Sequence, residues 1–111
     1  MAGRVTLSDF EFMILLAVLR VGDEAYGVPI GHEIERVAKR SITRAALYTA
    51  LDRLQRRHLV TSALGQPTAE RGGRAKRYFS VTPRGLQAIR QTQRSFVALW
   101  SGIPELRGLL P

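Results

Sequence analysis

Cysteine is missing from all 111 residues, which excludes disulfides and thiolate chemistry and leaves a reducing compartment open. Histidine is nearly missing too. His32 and His58 stand alone, and no spacing of His, Cys or paired carboxylates suits a metal. Both are read as surface or capping residues. Ser8, Ser41 and Ser62 have no recognisable base and orienting acid, so nucleophilic catalysis is not expected. There is no glycine loop of the nucleotide-binding type, and no cofactor is expected. The apolar run Phe12–Leu19 is too short to span a bilayer. Asp9 and Glu11 precede it, where a signal peptide would carry basic residues. The expectation is a cytoplasmic protein that is not an enzyme.

Acidic residues are scarce. Nine face 17 basic ones, for a net charge of +8. The imbalance is local. Residues 1–40 hold five basic and six acidic groups, a net −1; residues 41–78 hold eight and two, a net +6; residues 79–111 hold four and one, a net +3. A basic middle segment on a folded domain points to a polyanion as partner. The length suits one domain.

Ser8-Asp9-Phe10-Glu11 has the pattern of a capping box. The helix it opens runs to about Val21 and stops at Gly22. This helix is apolar on nearly every face, so one side should meet its own core and another a partner. A second helix spans Tyr26 to about Val37, with Tyr26, Ile30, Ile34 and Val37 on one face and Pro29 in the first turn. Thr43 caps a third, ending near Arg57, whose apolar stripe is Leu47, Ala50, Leu51 and Leu54. His58 follows where a left-handed residue is needed, a conformation that histidine tolerates better than most residues. Leu59–Leu64 and Lys76–Val81 read as two strands around the loop Gly65–Ala75. Thr82-Pro83 opens a fourth helix that runs to about Ser101, and residues 105–111 form a loosely held tail.

Three helices, a hairpin with a basic tip and a closing helix make a winged helix-turn-helix, mainly α with a small β hairpin and an added C-terminal dimerisation helix. The expected division is a single domain over 1–111: a DNA-binding core at 7–82, the dimerisation helix at 83–102 and a tail at 103–111. The third helix is sized to enter a major groove, and the glycine-containing hairpin can approach a phosphate backbone.

Four segments in order carry a resemblance: Ala25-Tyr26-Gly27; Ala46-Leu47-Tyr48-Thr49-Ala50-Leu51-Asp52-Arg53-Leu54; Arg71-Gly72-Gly73-Arg74 with Tyr78-Phe79; and Thr82-Pro83-Arg84-Gly85. Over roughly residues 7–86 the chain resembles the PadR-type regulators. That resemblance implies homodimeric DNA-binding repressors with the third helix as reader and the hairpin as wing. Small members resemble this chain in keeping a single C-terminal helix. His58, in place of the common glycine, and Pro29 depart from the pattern without undermining the fold.

The expected DNA-binding residues are Thr43, Arg44, Tyr48, Thr49 and Arg53 on the helix, with Arg71, Gly72, Gly73, Arg74 and Lys76 in the wing. Each has a plainer role open to it. Tyr48 can lean over the helix edge to cap the core, and Arg53 can pair with Glu33 of the second helix. Asp52 suits an orienting partner for the arginines, and strand alternation can turn Arg77 inward or sideways. Phe10, Ile14, Ile89, Gln93, Phe96 and Trp100 are the candidates for a dimer interface. Phe96 and Trp100 either pack that interface or line an apolar gap that admits a planar small-molecule effector, packing being the simpler reading. The function expected is a sequence-specific repressor of double-stranded DNA acting on an inverted repeat. A protein-interaction module would have no need of the basic wing. Binding to single strands would call for exposed aromatic platforms, which are not evident.

Overall fold

The computed structural model describes residues 5–66 and 75–108. Helix α1 covers Asp9–Val21. Its capping box is formed as expected: the Glu11 N–H donates to Ser8 Oγ at 3.1 Å, and the Ser8 N–H donates to Glu11 Oε1 at 2.9 Å. Gly22, at φ 77°, ends the helix in a region that favours glycine. A short 3-10 turn at Gly22–Glu24 leads to α2, Gly27–Ala38.

Tyr26 lies just outside α2, extended at φ −104°. The stripe expected from Tyr26 to Val37 therefore buries only its middle. Ile30 and Ile34 enter the core, while Tyr26 is half-buried and Val37 exposed. Left-handed Lys39, at φ 59°, closes the helix.

Helix α3, Arg44–Arg56, starts on Thr43, whose Oγ1 accepts from the Ala46 N–H at 3.0 Å. Leu47, Ala50, Leu51 and Leu54 are its buried face, as the period required. His58 takes the left-handed conformation at φ 62°. The chain then enters β1, Val60–Leu64, which pairs antiparallel with β2, Arg77–Val81, in the register Ser62 to Phe79. Both strands begin one residue later than the sequence reading placed them. The Gly65 N–H extends the ladder to the Lys76 carbonyl at 2.7 Å.

Helix α4, Pro83–Trp100, is tied to the hairpin at its start. Thr82 Oγ1 accepts from the Gly85 N–H at 2.9 Å and donates to the His58 carbonyl at 2.7 Å. One core joins these parts: Ile14, Leu15 and Val18 of α1, Ile30 and Ile34 of α2, the α3 leucines, Leu59 and Val60, Phe79, and Ala88 of α4.

Ile14 is fully buried in that core. This corrects its place among the interface candidates, because no surface of it is left for a partner. The apolar residues that α1 does expose are Leu16 and Leu19, at 38% and 45%. Phe10 and Ile89 are half-buried against the chain's own core. Among the described residues no helix is long and apolar enough to cross a membrane.

Candidate nucleic-acid interface

The face of α3 turned away from the core carries Arg44, Tyr48, Thr49, Asp52, Arg53 and Arg56, all exposed. Thr43, the capping residue, is exposed beside them. Helical spacing puts these side chains on one convex surface while the leucines hold the opposite side down. The helix spans 13 residues, about 20 Å at 1.5 Å per residue, and major-groove width suits such a rod.

Which arginines are already neutralised distinguishes this face from α1 and α2. In the N-terminal part, Asp9 holds Arg40 at 3.1 Å, and Glu33 holds Arg20 at 2.6 Å and Arg36 at 2.9 Å. Those two guanidiniums keep the Glu33 carboxyl below its ordinary range. Glu33 is thus committed to Arg20 and Arg36, and not to Arg53. Among the described residues Arg44, Arg53 and Arg56 have no ion pair, and neither does Asp52. Asp52 lines an open cleft of about 480 Å³ with Gln55, Arg56 and Arg77. Its expected pairing with the helix arginines is not formed.

Arg57 belongs elsewhere. It reaches inward, Nη1 to Glu11 Oε2 at 2.8 Å and Nη2 to the Thr6 carbonyl at 2.6 Å. Burial by itself would raise the Glu11 pKa. The Ser8 backbone hydrogen bond, the Arg57 bond and charge, and the Ser8 hydroxyl together outweigh it and hold the carboxyl below its usual 4.5. This pair fastens the end of α3 to α1.

Tyr48 fits both of its readings. It is 38% exposed on the outer face, yet its ring lies over Gly27, where a Cβ would sit 3.1 Å from Tyr48 Cε2 and closer still to the hydroxyl. Only a residue without a side chain at position 27 admits it. Beside this contact, α2 and the start of α3 enclose a cleft of about 310 Å³ that includes Gly31, His32, Thr43 and Arg44.

In the wing, Arg71, Gly72, Gly73 and Arg74 lie outside the described residues. Lys76 is placed: its Nζ sits 4.4 Å from the centre of the Tyr26 ring. Arg77 points sideways, donating to Ser62 Oγ at 2.9 Å, and Ser62 donates to Gln55 Oε1 at 2.8 Å. The hairpin is therefore linked by hydrogen bonds to α3. Sequence reasoning had not given Gln55, Ser62 or Tyr26 a part in the interface. The one signal available was the position of Tyr26 next to Gly27, inside the first of the four motifs.

At the far end of α4, Gln93, Phe96 and Leu99 are exposed, the last two at 60% and 74%. Trp100 is half-buried, and its indole N–H is covered without a hydrogen-bond partner among the described residues.

Three helices followed by a two-stranded wing and a long closing helix define a winged helix-turn-helix protein. The model of the transcriptional regulator PadR-like family matches residues 15–91. The chain belongs to that family and is a DNA-binding regulator of transcription rather than an enzyme. No curated relative matches it. Among solved structures it is similar to a transcriptional regulator from Clostridium thermocellum, with 23% identity and a TM-score of 0.69 over 87% of this chain and 91% of that one. It is also similar to a PadR-like transcription factor from Bacteroides fragilis, at 23% and 0.67 over 81% and 82%. A PadR-like regulator from Bacillus cereus gives 19% and 0.69 over 89% and 91%. At these identities the likeness speaks for the fold.

Proposed function

We propose that this regulator is a homodimeric repressor that recognises an inverted repeat in double-stranded DNA. The observation that carries this reading is the outer face of α3. There Arg44, Arg53 and Arg56 share an exposed surface with Tyr48 and Thr49 and have no ion pair among the described residues, while Asp9 and Glu33 hold Arg40, Arg20 and Arg36. Unpaired guanidiniums on a groove-sized helix match guanine edges and phosphates. Thr43 and the wing residues Arg71, Gly72, Gly73, Arg74 and Lys76 are assigned to backbone contacts, which position the protein. Residues 7–82 form the binding core and 83–102 the dimerisation helix, followed by the tail at 103–111. The protein works in the cytoplasm.

The second copy is supported by uncovered apolar surface: Leu16 and Leu19 on α1, Phe96 and Leu99 on α4. Gln93 and Trp100 complete the proposed interface, with Phe10 and Ile89 at its margin. Phe96 and Trp100 pack that interface in the simpler reading, and a planar apolar effector lodged between them is the alternative.

Selection of bound sequences from a random duplex pool tests the reading. The expected product is an inverted repeat with half-sites about 34–36 Å apart, or a multiple of that. On that site, a dimer neutralising about six to ten phosphates should lose roughly 10³–10⁵ in affinity between 50 and 200 mM salt. No enrichment, or a flat salt response, would leave a protein-interaction module as the better account.

A further inference from the structure

Three consecutive residues touch the β2 backbone, the side chains beside it and α3. The Ala25 carbonyl accepts from the Phe79 N–H of β2 at 2.8 Å, so the backbone here acts as a short third edge of the wing sheet. The Tyr26 ring meets the Tyr78 ring edge to face at 5.6 Å and 70°, and carries the Lys76 ammonium 4.4 Å from its centre. Gly27, lacking a Cβ, admits the Tyr48 ring of α3. Ala25 is fully buried and cannot drift, and Tyr26 opens onto the first turn of α2.

The wing is also held from α3 through Gln55, Ser62 and Arg77. That link fixes the hairpin's distance from the reader helix. An isolated two-stranded hairpin is marginal in water, so the angle of this one depends on the contacts made along its length. The Tyr26 contact lies on the opposite parity from Arg77, at Tyr78 of β2 and at Lys76 just before the strand, so it braces the side of the ribbon that the α3 link leaves unheld.

We propose that Tyr26 is a positioning residue for DNA recognition, setting the angle of the wing relative to the reader helix by seating Tyr78 and Lys76 on its ring. The inference rests on the DNA-binding reading above. It assigns Lys76 to the wing's internal support as much as to any phosphate. Opposite charge on a π face and an edge-to-face ring pair are both lost when the ring is replaced by an aliphatic side chain, and both survive in phenylalanine.

The test compares the full-length wild type with Tyr26→Leu and Tyr26→Phe, on the selected site and on random duplex. Tyr26→Leu should bind the selected site about fivefold to twentyfold more weakly. Its dependence on salt should be shallower, because wing phosphate contacts are no longer made together. The ratio of specific to random affinity should stay close to wild type, since α3 still reads the bases. Tyr26→Phe should restore both affinity and salt slope. Independently of DNA, amide hydrogen exchange in β2, above all at Phe79, should be faster in Tyr26→Leu than in wild type or Tyr26→Phe. A merely destabilised protein would lose active fraction without changing its salt slope. Wild-type binding with an unchanged Tyr26→Leu, or β2 exchange that does not respond, would overturn the inference alone. A wild type that binds no duplex would remove the DNA reading, and this inference with it.

Discussion

Glu11 is the only charged side chain buried among the described residues, and its environment explains why it can be. A carboxylate removed from water costs several kcal/mol unless donors surround it. Here the Ser8 N–H and the Arg57 guanidinium supply them, and Arg57 goes on to bind the Thr6 carbonyl. The folded pKa lies below the ordinary 4.5. A depressed carboxylate stabilises the fold above its unfolded pKa and loses that contribution as pH falls through the folded one. Stability should therefore decline from about pH 4.5 downward, and Glu11→Gln should flatten that decline. At neutral pH the same substitution should cost about 1.5–3 kcal/mol, the range for a hydrogen bond to a charged group. Urea melts of both proteins across pH 3–7 measure it. Parallel pH profiles would mean that the pair does not tie α3 to α1.

At the scale of elements, the joint between the wing and α4 depends on one missing side chain. Gly85 sits in the first turn of α4, where an added Cβ would collide with the Leu59 carbonyl and lie 2.7 Å from Val81 Cγ1. The obstacle is backbone, so a rotamer change cannot relieve it. Gly85→Ala should destabilise the fold by about 1–3 kcal/mol or more, although alanine is the better helix former by nearly 1 kcal/mol. Chemical denaturation decides the sign, and a stabilised variant would contradict the close packing. The capping hydroxyl of Thr82 works at the same joint, binding α4 to the His58 carbonyl. The sequence signalled this cap through Thr82-Pro83, and it signalled the box at Ser8 and the left-handed turn at His58. Such features are local: a few neighbouring residues satisfy their own backbone groups, so the pattern is readable from composition and spacing.

The whole molecule is drawn out, with a radius of gyration of 16.0 Å where a compact chain of this length would have about 13 Å. Its 18-residue α4, about 27 Å long, ends in exposed Phe96 and Leu99. On α1, Leu16 and Leu19 border a largely apolar groove of about 420 Å³ together with Ile34 and Val37 of α2. Surfaces of this kind call for cover. If the proposed dimer forms, Phe96→Ala combined with Trp100→Ala should weaken it and, through it, DNA affinity, because the proposed inverted repeat requires two half-sites to be held at once. Sedimentation of wild type and variant at micromolar concentration is the check. A monomeric wild type would defeat the dimer, and with it the inverted repeat.

The sequence by itself determined the order and type of the elements, their caps, the buried stripe of α3 and the excess of positive charge in residues 41–78. Each of these depends on neighbours within a turn or a strand, or on simple counting. Tertiary structure alone decided which partner each face meets. Period showed that α1 is apolar nearly all round, but only packing turned Ile14 inward and left Leu16 and Leu19 outside. Tyr26 reads as one more apolar residue of α2, yet it stands at the helix start and holds the wing. Arg57 and Glu11 meet across 46 residues, and no local pattern favours that choice over the many other basic residues. The physical reason is the same in each case. Amphipathic period records that a face will be covered, whereas the covering surface is fixed by shape and by long-range contacts that exist only once the core has closed.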